Sequence, residues 1–438
     1  MSNLTIQWPD ANAEQVEAAK GRLDVARRRL VARSPDGILS VLGTVLDQWR
    51  NPASKWRQRL MGEFPALSGF SPEIVSAGLD LALEHWTGDA LAEAVRAELD
   101  SGRRSPSHRV APFSMTSVLL AGAIPMPSLL ACLLPLCVQS PVLVKSASRD
   151  PITPNLLAES IAEVDPELGR CMEVVSFPGS DRESLERFLA AECVVASGSD
   201  ETIQEINQRV RPSQRFVAYG HKLSIAVVRG AGCSDDKLPG IADALALDVA
   251  LWDQLGCLSP VCVFVVGDDA RGATERLSHA LADALAREQS ARPRGEVDAE
   301  VAAVIRHERE EARMRAANGA EIVLRESEGS LWTVVGEADA TWRPNPLHRF
   351  VRVHPVPRFD ELPDALTPVV RNLSSVALAG FDDDLEKLDA TRVELSRLGV
   401  PRLCPAGRLQ APPIGWHHDG LPVVLPLTRF SSFESSGP

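Results

Sequence analysis

Short apolar segments alternate with helical ones between Ser117 and Val210, and this alternation limits the fold more than any other feature of the 438-residue sequence. The apolar segments SVLLAGA, PVLVK, MEVVSF and CVVAS have the length and composition of buried strands. The segments that follow them, PSLLACLLPLC, ITPNLLAESIAEV, DRESLERFLAA and DETIQEINQRV, have the periodicity of helices. Parallel strands joined by crossover helices form a doubly wound α/β sheet, which binds its ligands at the carboxyl ends of the strands.

A second alternation begins after Pro212 and predicts a second α/β domain. Its strands are predicted in RFVAY, LSIAVV and CVFVV, and its helices in LPGIADALALDVALWDQLG and TERLSHALADALAREQ. Upstream, Ala/Leu/Arg-rich runs as far as about Ala97 predict helices. The segment after Gly407 is rich in Pro and Gly, so we interpret it as an arm rather than a core element.

The composition is that of a folded protein, with 45% hydrophobic and 24% charged residues. The 46 Lys and Arg residues against 59 Asp and Glu residues give a net charge of −13, which disfavours nucleic acid as a partner. The eight cysteines contain no Cys-x-x-Cys pair, so we expect free thiols rather than disulfides or structural zinc. Because the N-terminus also has no apolar signal core, we expect a cytoplasmic protein.

The stretch from Val110 to Val144 contains no charged residue and no histidine, and it is longer than the roughly 20 apolar residues that span a bilayer. Prolines divide it into pieces that are each too short to cross a membrane as one helix. They are Pro112, Pro125, Pro127, Pro135 and Pro141. We therefore interpret the stretch as a buried strand, helix and strand, and expect no membrane span.

Cys257 is a candidate nucleophile in the segment WDQLGCLSPVCVFV, between a predicted helix and a predicted strand. Gly256 precedes it, so a substrate carbonyl can approach closely and a backbone N–H can stabilise an oxyanion. The structural alternative is that a cysteine is usually a small buried hydrophobic residue. We interpret Cys262, inside the following strand, in that way.

The segment WDQLGCLSP resembles the nucleophile segment of acyl-CoA reductases in the LuxC-like branch of the aldehyde dehydrogenase superfamily. Other segments agree with that branch in their order: AGAIPMPSLL, VLVKSASRDP, VVASGSDETI, FVAYGHKLSIAVV and, near the end, WHHDGLPV. The resemblance implies an aldehyde dehydrogenase-like α/β fold. We accordingly predict an N-terminal helical region at 1–100, a Rossmann-type cofactor-binding domain at 101–215, a catalytic domain at 216–406 and a small oligomerisation arm at 407–438.

The resemblance also implies a nicotinamide cofactor. Lys145 matches the lysine that contacts the adenosine ribose, and Ser148 stands where an acidic residue often binds the ribose diol. With Arg149 next to it, a 2′-phosphate is attracted rather than repelled, which favours NADPH. Gly198 and Ser199 match the turn beneath the pyrophosphate. The structural alternative for Ser148 and Arg149 is a solvated polar turn. For Gly198 and Ser199 it is an ordinary helix N-cap.

Two positions depart from the family pattern. Ala218 replaces the Glu that activates water in hydrolysing aldehyde dehydrogenases, which suits an acyl-enzyme that must await hydride. Ala123 replaces the Asn that usually stabilises the oxyanion, a loss that typically costs about 10²–10³ in rate. His221 is our candidate for proton handling or a contact with CoA. The alternative is a histidine with a purely structural role, which has the same sequence pattern. His418 and Asp419 are assigned to arm docking or the rim of the site, and no metal site is predicted.

These features predict NADPH-dependent reduction of an acyl-CoA, fatty acyl by family resemblance, to the aldehyde through a Cys257 acyl-enzyme. Two alternatives stay open: a non-catalytic scaffold or binding subunit, which the Ala123 departure motivates, and an acyltransferase that forms the thioester without hydride transfer. The expected partners are the acyl-CoA, an acyl-transferring or acyl-activating protein, and further copies of the chain in a homodimer or homotetramer.

Overall fold

The computed structural model describes residues 10–102 and 109–432. The first described part contains five helices: α1 (Ala13–Leu30), α2 (Pro35–Arg50), α3 (Lys55–Ser68), α4 (Pro72–Leu83) and α5 (Gly88–Gly102). The side chains of Ser34, Ser54 and Ser71 cap α2, α3 and α4 by accepting backbone N–H groups of the first turn. These caps explain why the helices begin where short polar breaks occur in the sequence.

The next elements build the first sheet. They are β1 (Arg109–Pro112), β2 (Thr116–Leu119), α6 (Pro125–Cys137), β3 (Val142–Lys145), α7 (Ile152–Val164), α8 (Pro166–Gly169), β4 (Met172–Val175), α9 (Arg182–Phe188), β5 (Cys193–Ser197), α10 (Asp200–Arg209) and β6 (Arg215–Tyr219). Five of the strands form a parallel sheet in the order β4-β3-β2-β5-β6. The predicted doubly wound sheet is therefore confirmed.

The uncharged stretch 110–144 forms β1, β2, α6 and β3 of this domain. Its apolar side chains are buried in the core that α6 and α7 share with the N-terminal helices. Within the described ranges, no helix is both long enough and apolar enough to cross a membrane.

Strand β6 belongs to a different sheet from the one we predicted. The segment RFVAY was expected to open the second domain, but β6 pairs in parallel with β5 of the first sheet, with Val195 opposite Val217. The transition between the two sheets lies between Tyr219 and Leu223, because β7 begins there. A strand at a sheet edge has the same sequence pattern in either sheet, so the pattern alone could not assign it.

The second sheet follows. Its elements are β7 (Leu223–Arg229), α11 (Leu238–Ala250), β8 (Pro260–Val266), α12 (Ala270–Ala291), α13 (Ala299–Ala317), β9 (Val323–Glu326), β10 (Thr333–Gly336), β11 (Phe350–Val356), α14 (Leu362–Leu366), β12 (Leu373–Ala379), α15 (Leu385–Arg397) and β13 (Arg402–Pro405). The strand order is β13-β12-β7-β8-β11-β10-β9, and β9 is antiparallel to β10 whereas the other neighbours are parallel.

The segment after β13 returns to the first domain. Its last strand, β14 (Thr428–Ser431), pairs in antiparallel fashion with β1. Before β14, the Glu98 carboxylate of α5 accepts three backbone N–H groups, from Val423, Val424 and Leu425, at 2.9, 2.8 and 3.1 Å. The described part of the predicted arm thus packs on its own chain, and its role in oligomerisation stays a prediction.

Candidate active site

Cys257 is half-buried in the loop between α11 and β8, and it lines a cavity. The lining is mostly apolar and comes from parts of the chain that are distant in sequence. Trp86 belongs to the N-terminal helical region, Leu130 and Leu134 to α6, and Ile414 to the C-terminal segment. Such a lining is suited to a long apolar substrate group and excludes water from the thiol.

The environment of the Cys257 sulfur favours the neutral thiol. Burial among apolar side chains, together with a smaller effect of the nearby Asp419 carboxylate, raises its pKa to about 12. Ser224 Oγ donates a hydrogen bond of 2.7 Å to the Cys257 carbonyl and so fixes the loop from the side of β7. Attack on a carbonyl therefore requires a group that accepts the thiol proton.

His418 lies in the same cavity as Cys257, together with Tyr219. The His418 ring stacks on Tyr219 with ring centroids 4.4 Å apart, and it lies at a tilt to the Trp416 ring with centroids 5.0 Å apart. Burial lowers the pKa of His418, against the opposing field of Asp419, so the imidazole is neutral near pH 7. We had assigned His418 to arm docking or the rim, and the structure places it at the cavity wall.

Sequence reasoning missed Tyr219, although it is the single tyrosine of the chain. It ends β6 at the carboxyl edge of the first sheet, and its hydroxyl-bearing ring lines the cavity. The signal that could have found it is its position, because strand ends at this edge are where such sheets bind ligands.

The carboxyl ends of β3 and β5, the two strands that flank β2, bring the predicted cofactor residues to one edge of the sheet. Lys145 ends β3, and its Nζ lies 5.1 Å from the centre of the Phe177 ring, where burial lowers its pKa. Ser148 is exposed just beyond β3. Arg149 is also exposed, and its Nη2 donates to the Ser68 carbonyl at 2.8 Å.

The turn between β5 and α10 contains Gly198 and Ser199. Ser199 is the N-cap of α10 and accepts the Thr202 N–H at 3.3 Å, as the structural alternative expected. The Gly198 N–H donates to the Tyr219 carbonyl at 3.1 Å. Because Ser197, at the end of β5, lines the cavity with Cys257, this turn connects the sheet edge to the thiol.

His221 lies elsewhere. Its side chain is exposed and outside the cavity lining, its N–H donates to Asp200 Oδ1 at 2.8 Å, and its carbonyl accepts from Asn372 at 3.1 Å. The role assigned to it stays a prediction, and His418 is better placed for it. In the part of the chain that the structure describes, no Asp or Glu lines the cavity and no group of three His, Cys, Asp or Glu side chains could hold a metal ion.

Comparison with solved structures defines the class of this fold. A mutant of aldehyde dehydrogenase C from Pseudomonas syringae, solved with NAD+ and octanal, superposes with a TM-score of 0.71 at 14% identity, over 97% of this chain and 89% of that one. An NAD-dependent benzaldehyde dehydrogenase from Corynebacterium glutamicum superposes with a TM-score of 0.66 at 14% identity, over 97% and 91%. The protein therefore has the aldehyde dehydrogenase fold.

Within that fold, the chain belongs to the acyl-CoA reductase (LuxC) family, whose pattern matches residues 30–433. The family expected from the sequence is thus confirmed. The long-chain acyl-protein thioester reductase of Aliivibrio fischeri is 24% identical over 411 residues, which cover 91% of this chain and 82% of the relative. Long-chain acyl-protein thioester reductase 2 of Photobacterium leiognathi is 22% identical over 448 residues, covering 99% and 88%.

Proposed function

We propose that this protein reduces a fatty acyl thioester to the aldehyde, with Cys257 as the nucleophile and NADPH as the hydride donor. The observation that carries the proposal is the position of Cys257 in an apolar cavity beside the carboxyl ends of a Rossmann-type sheet. The family description refers to acyl-CoA, and the relatives are named for acyl-protein thioesters. Both carriers present the same carbonyl and a thiol leaving group, so either suits the site.

The first step is thioester exchange. The Cys257 sulfur bonds to the acyl carbon while its proton moves to the neutral imidazole of His418. The carrier thiolate leaves and takes that proton, so charge and protons balance. One sulfur leaving group replaces another, and the carbonyl therefore stays electrophilic. The apolar cavity lining, which includes no Asp or Glu among the described residues, would protect the acyl-enzyme from water.

The residues at the sheet edge fit a phosphorylated nicotinamide cofactor. Lys145 and Arg149 are cations there, and the exposed Ser148 brings no carboxylate that would repel a 2′-phosphate. The turn at Gly198 leads into the N-terminus of α10, which suits a pyrophosphate, although Asp200 and Glu201 lie in its first turn. NADPH bound there would supply the hydride that reduces the acyl carbonyl. The Cys257 sulfur would then leave the resulting thiohemiacetal as the aldehyde forms and would regain its thiol proton, with one proton taken up from solvent to balance the hydride.

The test is a steady-state assay with myristoyl-CoA and NADPH, which follows NADPH loss and aldehyde formation. We expect both in the wild type, neither in Cys257→Ala, and near wild-type rates in Cys262→Ala, the matched control inside β8. Acylation of the protein without NADPH oxidation would indicate an acyltransferase rather than a reductase. No acylation and no aldehyde with either CoA or carrier-protein thioesters would contradict the proposal.

A further inference from the structure

Two short segments near Cys257 have an unusual backbone. Trp252, Asp253 and Gln254 have φ of +55°, +49° and +63°, and a second segment, 347–349, has φ of +62°, +55° and +65°. Among the described residues, these six account for most of the non-glycine positions with positive φ. A left-handed non-glycine residue costs roughly 1–2 kcal/mol, so both segments must be held by contacts outside themselves.

A buried ion pair joins the two segments. Arg349 Nε donates to Asp253 Oδ1 at 3.0 Å, and Asp253 Oδ2 accepts the Gly295 N–H at 2.9 Å. Arg349 also donates to Gln289 Oε1 at 3.0 Å and to the Arg292 carbonyl at 2.8 Å. Both charged side chains are almost fully buried. Removing either partner leaves an uncompensated buried charge, so the pair fixes one segment to the other.

The neighbours of Asp253 are fixed as well. The Trp252 ring packs edge-on against Phe70 at 5.5 Å and lies so close to Gly78 that a Cβ there would come within 2.3 Å of it. Gln254 Nε2 donates to the Pro260 and Phe350 carbonyls at 2.9 and 3.0 Å. Each left-handed residue before the Cys257 loop therefore has its own anchor, and Asp253 provides the charged one.

We propose that Asp253 and Arg349 are positioning residues that hold the left-handed segment 252–254 and thereby place the Cys257 thiol at the cavity wall. The inference rests on the proposed function for the importance of the thiol. The sequence pattern favours continuing α11 through Gly256, whereas the helix ends at Ala250. If the segment relaxed to right-handed dihedrals, the chain would turn in another direction and the thiol would leave its place beside His418 and Tyr219.

The experiment compares Arg349→Met with Arg352→Met. Arg352 is equally buried and ion-paired, to Glu337 and Glu308, and lies in the adjoining strand β11, but it does not contact 252–254. Single-turnover acylation of Cys257 by myristoyl-CoA is followed by intact mass. For each variant we also measure KM, kcat, the thermal midpoint of unfolding and the hydrogen exchange of the peptide containing 251–258. Asp253→Asn, which keeps the size and shape of the side chain, is the second variant should Arg349→Met fail to fold.

For Arg349→Met and Asp253→Asn we expect acylation and kcat to fall about 100-fold with little change in KM, because a displacement of about 1 Å costs that much. Exchange of 251–258 should accelerate in these variants and not in Arg352→Met at a matched thermal midpoint. Equal losses in Arg349→Met and Arg352→Met, or unchanged acylation in Asp253→Asn, would overturn the inference. If the wild type showed no acylation, the proposed function would fail, and the exchange comparison would still decide whether the pair holds the segment.

Discussion

Cys257 and His418 are both uncharged near neutral pH, and this shared neutrality defines how the site can work. Burial raises the pKa of the thiol and lowers that of the imidazole. The neutral thiol is therefore favoured over the thiolate, and in the proposed mechanism the proton leaves the sulfur as the acyl bond forms. Because the charged pair would be costly in an apolar cavity, the proposed mechanism couples proton transfer to attack.

Replacing His418 by Gln should lower the rate of Cys257 acylation about 100-fold, the size of a general-base contribution. His417→Gln is the matched control, because His417 is the adjacent histidine and is exposed. Stopped-flow or quenched acylation with myristoyl-CoA measures both variants. Equal acylation rates in the two variants would show that His418 does not accept the thiol proton.

The pH dependence of acylation follows from the same environment. Burial, with a smaller effect of Lys222, lowers the pKa of His418 from 6.5, while Asp419 opposes that shift. The imidazole thus stays able to accept a proton until the pH falls below its usual value. We expect the acylation rate to be constant above about pH 6.5 and to decline only on the acid side. A decline that already begins between pH 7 and 8 as the pH falls would contradict a neutral His418.

Cofactor preference should depend on Ser148. Introducing Glu at this position places a carboxylate where a 2′-phosphate is expected, so the ratio of kcat/KM for NADPH to that for NADH should fall by about tenfold or more. Ser396→Glu, on an exposed face of α15 in the second domain, adds the same charge elsewhere and should leave the ratio unchanged. An unchanged ratio in Ser148→Glu would show that this loop does not contact the ribose.

At the scale of elements, the strands and helices of the first domain could be predicted because local apolar patterns determine them. Helix α7 occupies the predicted segment from Ile152 to Val164. The end of α11 could not be predicted, because its local sequence favours a longer helix. Asp253, in the left-handed segment that follows, accepts a hydrogen bond from Arg349, which is distant in sequence. Contacts of that kind leave no periodic signal.

Hydrogen bonds to Asp248 connect α11 to the segment after β13, and they should make the free energy of unfolding depend on pH. Asp248 accepts the Gly407 and Leu409 N–H groups, and burial raises its pKa to about 7, against about 3.9 in an unfolded chain. The folded protein then binds the extra proton, so this contribution to stability is present below about pH 4 and is lost as the pH rises to about 7.

Asp248→Asn cannot titrate, so the wild type should lose stability relative to this variant between pH 5 and pH 8. Urea unfolding of both proteins at the two pH values measures the difference. A difference that is constant, or that moves in favour of the wild type as the pH rises, would mean that the Asp248 carboxyl is ionised throughout.

At the scale of the whole molecule, the cavity exists only when several parts of the chain that are distant in sequence meet. Trp86 and Ile414 are distant in sequence, yet the Trp86 Nε1 donates to the Pro412 carbonyl at 2.9 Å and both residues line the cavity. The sequence indicated the candidate nucleophile and the sheet edge, because each lies in one continuous segment. It assigned His418 to arm docking or the rim of the site and did not indicate that this residue lines the cavity with Cys257, since that arrangement depends on how the C-terminal segment packs on the rest of the chain.

The central claim is that Cys257 carries the acyl group until hydride arrives, and a single-turnover experiment tests it most directly. The protein is acylated with myristoyl-CoA, freed of unbound thioester, and analysed by peptide mass before and after NADPH is added. We predict one acyl group on the Cys257 peptide and its complete conversion to tetradecanal on addition of NADPH. An acyl group on another residue, or release as the free acid in the presence of NADPH, would contradict the claim.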